Sequence, residues 1–186
     1  VAQLFLKRDQ IKIDPTTEIT ITPGATIAIF SAIQALIHAG DEVIIFDPSY
    51  DSYAPSVQLV GGTAIHIALS GQNFSVDWNV VKDAISDRTR MMIINTPHNP
   101  TGTIWSQADW LNLIELIQDK NIVLLSDEVY EHLVFDGQQH YSALSFPALR
   151  ERSMVVGSFG KTFHVTGWKT GYCIAAPQLM QVFRQV

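Results

Sequence analysis

The chain has 186 residues, 47% of them hydrophobic and 16% charged, a composition that suits a buried core and excludes a disordered segment. A formal net charge of −6 with no run of basic residues argues against nucleic acid or an anionic membrane surface as partner. A single cysteine, Cys173, excludes an intrachain disulfide and fits a reducing, cytoplasmic setting, and no apolar stretch approaches the ~20 residues of a membrane helix.

From Val1 onward, charged and apolar residues mix with no signal-peptide pattern. Neither Val1 nor the closing Gln181–Val186 carries a start or stop signal, so the sequence reads as a piece of a longer chain. Ile19 to Ile21 reads as a strand running through Pro23-Gly24-Ala25-Thr26 into a helix that reaches about Ala39 and is stopped by Gly40. Glu42 to Phe46 and Thr63 to Ala68 read as strands separated by a helix that Gly61-Gly62 breaks. Val76 to Ser86 reads as a helix capped by Asp77, and Met91 to Asn95 as an apolar strand. Ser106 caps a helix from about Gln107 to Asp119, and Ile122 to Ser126 is a buried strand ending at Asp127. Met154 to Gly157 is a strand, a polar loop runs on through Lys169, and Gly171 to Ala175 is the last strand. Continuous apolar strands alternating with helices predict an α/β fold: three layers, α/β/α, with a mainly parallel sheet.

In such sheets, ligands sit beyond the carboxyl ends of the strands. The polar clusters fall there: Pro23 to Thr26, Asp47 to Tyr53, Asn95 to Gly102, Asp127 to Tyr130 and Ser158 to Lys169. Lys161, directly after a buried strand, reads either as a surface lysine or as a partly desolvated amine able to form a Schiff base. Asp127 ends a buried strand, where a carboxylate is costly unless it meets a cation such as a protonated ring nitrogen; a helix cap or structural ion pair is the alternative. Asn99 and Tyr130 could donate to an oxygen on the same ring, unless the proline-rich loop around Asn99 is only a rigid turn. Gly24, Ala25 and Thr26 open a helix, so their amides suit a phosphate, with Ser158 and Lys169 as the other side of the cradle. Tyr50 or Tyr53 could stack on a ring. The histidines show no metal spacing, and Cys173, Trp78, Trp105 and Trp110 read as packing residues.

Five stretches occur together and in order: Thr22-Pro23-Gly24-Ala25-Thr26, Asp47-Pro48-Ser49-Tyr50, Asn95-Thr96-Pro97-His98-Asn99-Pro100-Thr101-Gly102, Ser126-Asp127-Glu128-Val129-Tyr130, and Ser158-Phe159-Gly160-Lys161-Thr162 with Thr166-Gly167-Trp168-Lys169. With them the chain resembles the central part of fold-type I pyridoxal phosphate (PLP) enzymes of the aspartate-aminotransferase superfamily. It is most similar to the methionine, kynurenine and glutamine-transaminase group. The resemblance implies that residues 1–186 are a PLP-binding large domain, with an N-terminal arm and a C-terminal small domain outside it. It implies an amino acid and a 2-oxo acid as substrates, and a homodimer at full length. It implies Lys161 as the lysine that carries PLP and moves the proton, Asp127 at the pyridine nitrogen, and Asn99 and Tyr130 at the phenolic oxygen. It further implies Tyr50 stacked on the ring, Gly24, Ala25, Ser158 and Lys169 at the phosphate, and Asn95 near the substrate carboxylate. Lys169 stands where many relatives carry arginine, so the two-point grip of a guanidinium is not expected there. A PLP-dependent C–S β-lyase and a non-catalytic aminotransferase-like sensor are the competing readings.

Overall fold

The apolar runs pair into one seven-stranded sheet. A computed structural model describes residues 1–186. In chain order it contains α1 (Ala2–Asp9), β1 (Ile19–Thr22), α2 (Ala25–Leu36), β2 (Glu42–Asp47), α3 (Tyr53–Leu59), β3 (Thr63–Ala68), α4 (Trp78–Ala84) and β4 (Thr89–Asn95). There follow α5 (Gln107–Ile117), β5 (Val123–Asp127), β6 (Ser153–Ser158), α6 (Phe159–Thr162), β7 (Gly171–Ala175) and α7 (Pro177–Phe183). The strand order is β1-β7-β6-β5-β4-β2-β3. Only β7 is reversed: it pairs antiparallel with β6 and with β1, while the pairs from β6 to β3 are parallel. The carboxyl ends of all the other strands therefore share one rim, and β7 starts on it.

Side chains alternate between two cores. On β4, Met91 and Ile93 enter one cluster with α2, α3 and α7, and Met92 and Ile94 enter the other with α1, α4 and α5. Both faces of the sheet are covered, which gives the three layers and explains why the central strands are apolar throughout. No helix is long and apolar enough to cross a membrane.

Local chemistry sets the boundaries. Ser106 and Asp109 form a reciprocal capping box at the start of α5, and Asp77 caps α4 through the N–H groups of Asn79 and Val80. Three expectations need correction. Helix α2 stops at Leu36, not near Ala39: Ile37 is extended and buried, and the Asp41 carboxylate accepts the His38 N–H at 2.9 Å. That side-chain bond competes with the helical one, so Gly40 belongs to the following turn. The stretch read as a polar loop after β6 contains α6, capped by Ser158, and a 3-10 turn over Thr166–Trp168. The chain also carries two helices that its patterning did not signal, α1 and α7; the first is docked by the single buried residue Phe5.

Candidate active site

The strand ends on the common rim enclose a cavity of about 190 Å³. Gly24, Ala25 and Thr26 line it from the β1–α2 junction, Tyr50 from the loop after β2, Asn95 from the end of β4 and Asn99 from the loop beyond it, Asp127 from the end of β5 and Tyr130 from the turn after it, Ser158 from the end of β6, and Lys161 and Lys169 from the β6–β7 connection. Every site residue expected from the sequence is thus brought to one concavity. Ile29, Val129, Gly160, Thr166 and Thr170 complete the wall.

Asp127 forms the floor. It is buried, and burial raises its carboxyl to a pKa of about 6 against the opposing hydrogen bonds. Its side chain accepts from the Tyr53 hydroxyl at 2.5 Å and from the Val129 N–H at 3.3 Å, and it has no cationic partner in hydrogen-bond contact. Glu128 turns the other way, held by Ser126, His140 and the Ala143 N–H.

Lys161 sits on the wall. It lies on α6 and is exposed, not sunk in the floor as a desolvated amine would be. Its amine lies over the face of Tyr130, 5.1 Å from the ring centroid, a cation–π placement that restrains it. The ammonium is close enough to Asp127 to favour the carboxylate.

Asn95 braces the floor. Its carbonyl oxygen accepts the Asn99 N–H at 2.7 Å, and its amide donates to the Asp127 carbonyl at 2.9 Å. The brace fixes where Asn99 enters the pocket and commits most of the Asn95 side chain to the protein itself. Within the same loop the Gly102 N–H donates to the His98 carbonyl at 2.7 Å.

At the other end, Gly24 caps α2 with φ of 91°, a backbone angle that favours glycine. The start of β7 presses against it: a Cβ at Gly171 would lie 2.5 Å from the Ala25 nitrogen. Gly24, Ala25 and Thr26 at the start of α2 line the cavity together with Ser158 and Lys169, and Asp127 is the only carboxylate that lines it. The donor set suits a ligand with an anionic group at one end and a cationic ring nitrogen at the other.

The sequence left Tyr50 and Tyr53 as equivalent stacking candidates, and the structure separates them. Tyr50 lines the cavity, while Tyr53 lies beneath with its ring edge-on, 5.6 Å between centroids. Their three-residue spacing is the only hint of this in the sequence. None of the six arginines lines the cavity. Arg88 and Arg90 pair with Glu42 and Asp41, Arg150 pairs with Glu18, and Arg152 caps carbonyls of Ile117 and Lys120. Arg184 binds Thr20 and the Ile19 carbonyl, and Arg8 binds Asp9 and Glu131.

A family model for aminotransferase class I and II matches residues 1–186. The chain is 51% identical over 173 residues to the methionine aminotransferase of Escherichia coli K12, a match covering 93% of this chain and 45% of that protein. It is 36% identical to human kynurenine–oxoglutarate transaminase 1, covering 94% of this chain and 44% of the relative. Among solved structures, an Escherichia coli protein with a methionine aminotransferase function superposes with a TM-score of 0.97 at 49% identity, over all of this chain and 49% of that one. The N-succinyldiaminopimelate aminotransferase of Mycobacterium tuberculosis superposes with a TM-score of 0.96 at 37% identity, over 99% of this chain and 48% of that one. The chain thus spans about half the length of the relatives it matches. It belongs to the class I and II aminotransferase family.

Proposed function

We propose that residues 1–186 are the cofactor-binding large domain of a PLP-dependent aminotransferase that moves an amino group between an amino acid and a 2-oxo acid. The observation that carries this reading is Asp127, a buried carboxylate with no cationic partner, on the floor of a cavity whose wall bears Lys161. When bound, PLP supplies an electron-accepting ring.

The residues divide the work. Asp127 pairs with the ring nitrogen and keeps it protonated. Lys161 holds the cofactor covalently and then moves a proton at the substrate Cα. Asn99 and Tyr130 donate to the phenolic oxygen, and the Asn95 brace keeps Asn99 in place. Tyr50 stacks on the ring. Gly24, Ala25, Thr26, Ser158 and Lys169 hold the phosphate, with Lys169 acting as a point charge. Asn95 offers its remaining N–H toward the substrate carboxylate. A planar grip on that carboxylate calls for an arginine from outside these residues, since all six here are engaged elsewhere.

The likeness to methionine aminotransferase supports a sulfur-containing or similarly long side chain on the amino acid, with glutamine, aromatic amino acids and kynurenine as neighbouring choices. The whole protein is read as a cytoplasmic homodimer. Exposed Phe163 and Trp168, in the loop that borders the cavity, supply apolar surface for a second copy, and the unpaired, buried Cys173 fits a reducing compartment. The test is amino-group exchange by the full-length protein with PLP, followed as the keto acid formed from methionine. Release of a thiol and ammonia in place of exchange would assign lyase chemistry.

A further inference from the structure

Building on the PLP reading above, we infer that Tyr53 is a positioning residue of the pocket: its phenol holds the Asp127 carboxylate charged, with one oxygen left for a cationic ring nitrogen. Tyr53 begins α3 and is 2% exposed, packed in the core beneath the cavity and not on its main wall. Its hydroxyl donates to Asp127 Oδ2 at 2.5 Å. The other oxygen, Oδ1, accepts only the long 3.3 Å bond from the Val129 N–H. A carboxylate has about four acceptor positions, so a strong lone pair on Oδ1 remains for a ligand.

The chemical type of the partner matters as much as its place. An arginine or a protonated histidine beneath Asp127 would cancel the charge that a ring cation needs. A phenol stabilises the carboxylate and leaves its charge intact. Burial, and next the Asp127 charge, raise the Tyr53 hydroxyl well above its ordinary range, so it stays a neutral donor at every working pH.

The charged and titratable groups facing Asp127 are few. Tyr53 comes from α3, Tyr50, Tyr130 and Lys161 line the cavity beside Asp127, and Glu128, whose side chain turns away, acts only through its charge. Burial and Glu128 push the carboxyl up, while Tyr53, the Val129 N–H and Lys161 pull it down. Tyr53 is the strongest of the opposing influences. Without it, the carboxylate is harder to form, and a neutral carboxyl attracts a ring cation far less. Cofactor affinity therefore depends on pH through Asp127, and Tyr53 sets where that dependence falls.

The experiment is PLP titration of the full-length apoprotein across the range from about pH 5 to pH 9, read by absorbance or quenching. The proteins are wild type, Tyr53→Phe, Asp127→Asn and the double variant. The cofactor phosphate titrates in the same range in all of them, so the differences isolate Asp127. Tyr53→Phe should weaken binding near neutrality on the order of 10- to 100-fold, the loss of a charge-assisted hydrogen bond. Its acid-side midpoint should rise by about 1 to 2 units, and the deficit should shrink toward the alkaline end. In the Asp127→Asn background the same change should do little. A loss equal at every pH, or one that persists without Asp127, would assign Tyr53 to packing alone and overturn the inference. If Asp127→Asn itself leaves affinity and pH profile unchanged, the PLP reading fails instead. Should Tyr53→Phe not fold, 3-fluorotyrosine at position 53 keeps the shape and sharpens the donor. It should move the midpoint down, and an unmoved midpoint would count against Tyr53.

Discussion

Arg8 of α1 forms an ion pair with Glu131, 123 positions away in sequence and next to Tyr130. Glu131 also accepts from the Tyr172 hydroxyl at 3.1 Å and is almost wholly buried. Burial opposes the charge on Arg8, yet the bonds to Asp9 and Glu131 leave its guanidinium held above its ordinary value. Replacing Arg8 strands a buried carboxylate, so Arg8→Met should cost about 2–3 kcal/mol in denaturant unfolding. It should also loosen the turn that carries Tyr130. A cost under ~0.5 kcal/mol would place this pair among surface bridges of little consequence.

Gly171 governs the fit between β7 and the start of α2. An added Cβ would lie 2.5 Å from the Ala25 nitrogen and 2.6 Å from the Gly24 carbonyl carbon. Both atoms are backbone, so the helix start itself has to move. Gly171→Ala should cost roughly 1–3 kcal/mol of stability and weaken PLP binding, with inorganic phosphate binding weakened in parallel. Unchanged affinity for both would separate this junction from the phosphate site.

Asp127 stores a cost in the apoprotein. Its carboxyl rises from 3.8 to about 6 on folding. A raised pKa favours the folded state below the unfolded value, and that advantage is lost as pH climbs through the folded one. Relative to wild type, apo Asp127→Asn should gain nothing below about pH 4 and up to about 3 kcal/mol above about pH 6. The same variant should lose ~10²-fold or more in turnover. Thermal melts of both apoproteins against pH check the first statement and steady-state assays the second. A wild-type apoprotein more stable than the variant at neutral pH would mean that Asp127 has a structural cation.

The arginines bear on what residues 1–186 do alone. Each is tied to a carboxylate or carbonyl away from the cavity, apart from Arg8, whose partner Glu131 lies behind the Tyr130 turn. The isolated segment should bind PLP, yet convert it to the pyridoxamine form with methionine at least ~10²-fold more slowly than the full-length protein, for want of a clamp that orients the substrate. Equal rates, followed by the absorbance change, would show that no arginine is needed.

The sheet was legible in the sequence because its central strands are buried on both faces, so runs such as Met91 to Asn95 and Ile122 to Ser126 stand out. The cavity residues were legible for a related reason: a parallel sheet collects its strand ends on one rim, and polar residues cluster at those ends. What escaped depends on contacts remote in sequence. Helix α1 buries one side chain, Phe5, and leaves no periodic trace. Nothing local to Arg8 announces its pair with Glu131, which lies 123 positions on. Tyr53 looked like Tyr50 because a phenol beneath a pocket and one on its wall have the same letter. Gly40 is the local exception: it looked like a helix stop because the sequence does not show that the Asp41 carboxylate, only three residues on, takes the His38 N–H and ends α2 early.

We propose Lys161 as the residue that carries the cofactor. Its amine is held 5.1 Å from the Tyr130 ring centroid on the wall above Asp127. The direct measurement is to add PLP to the protein, reduce with borohydride, digest, and find the pyridoxyl-labelled lysine by mass spectrometry. One labelled peptide should appear, carrying Lys161, and Lys161→Ala should abolish it while leaving the fold intact, since that side chain is exposed. Label on Lys169, Lys82, Lys120 or any other lysine in place of Lys161 would remove Lys161 from that role.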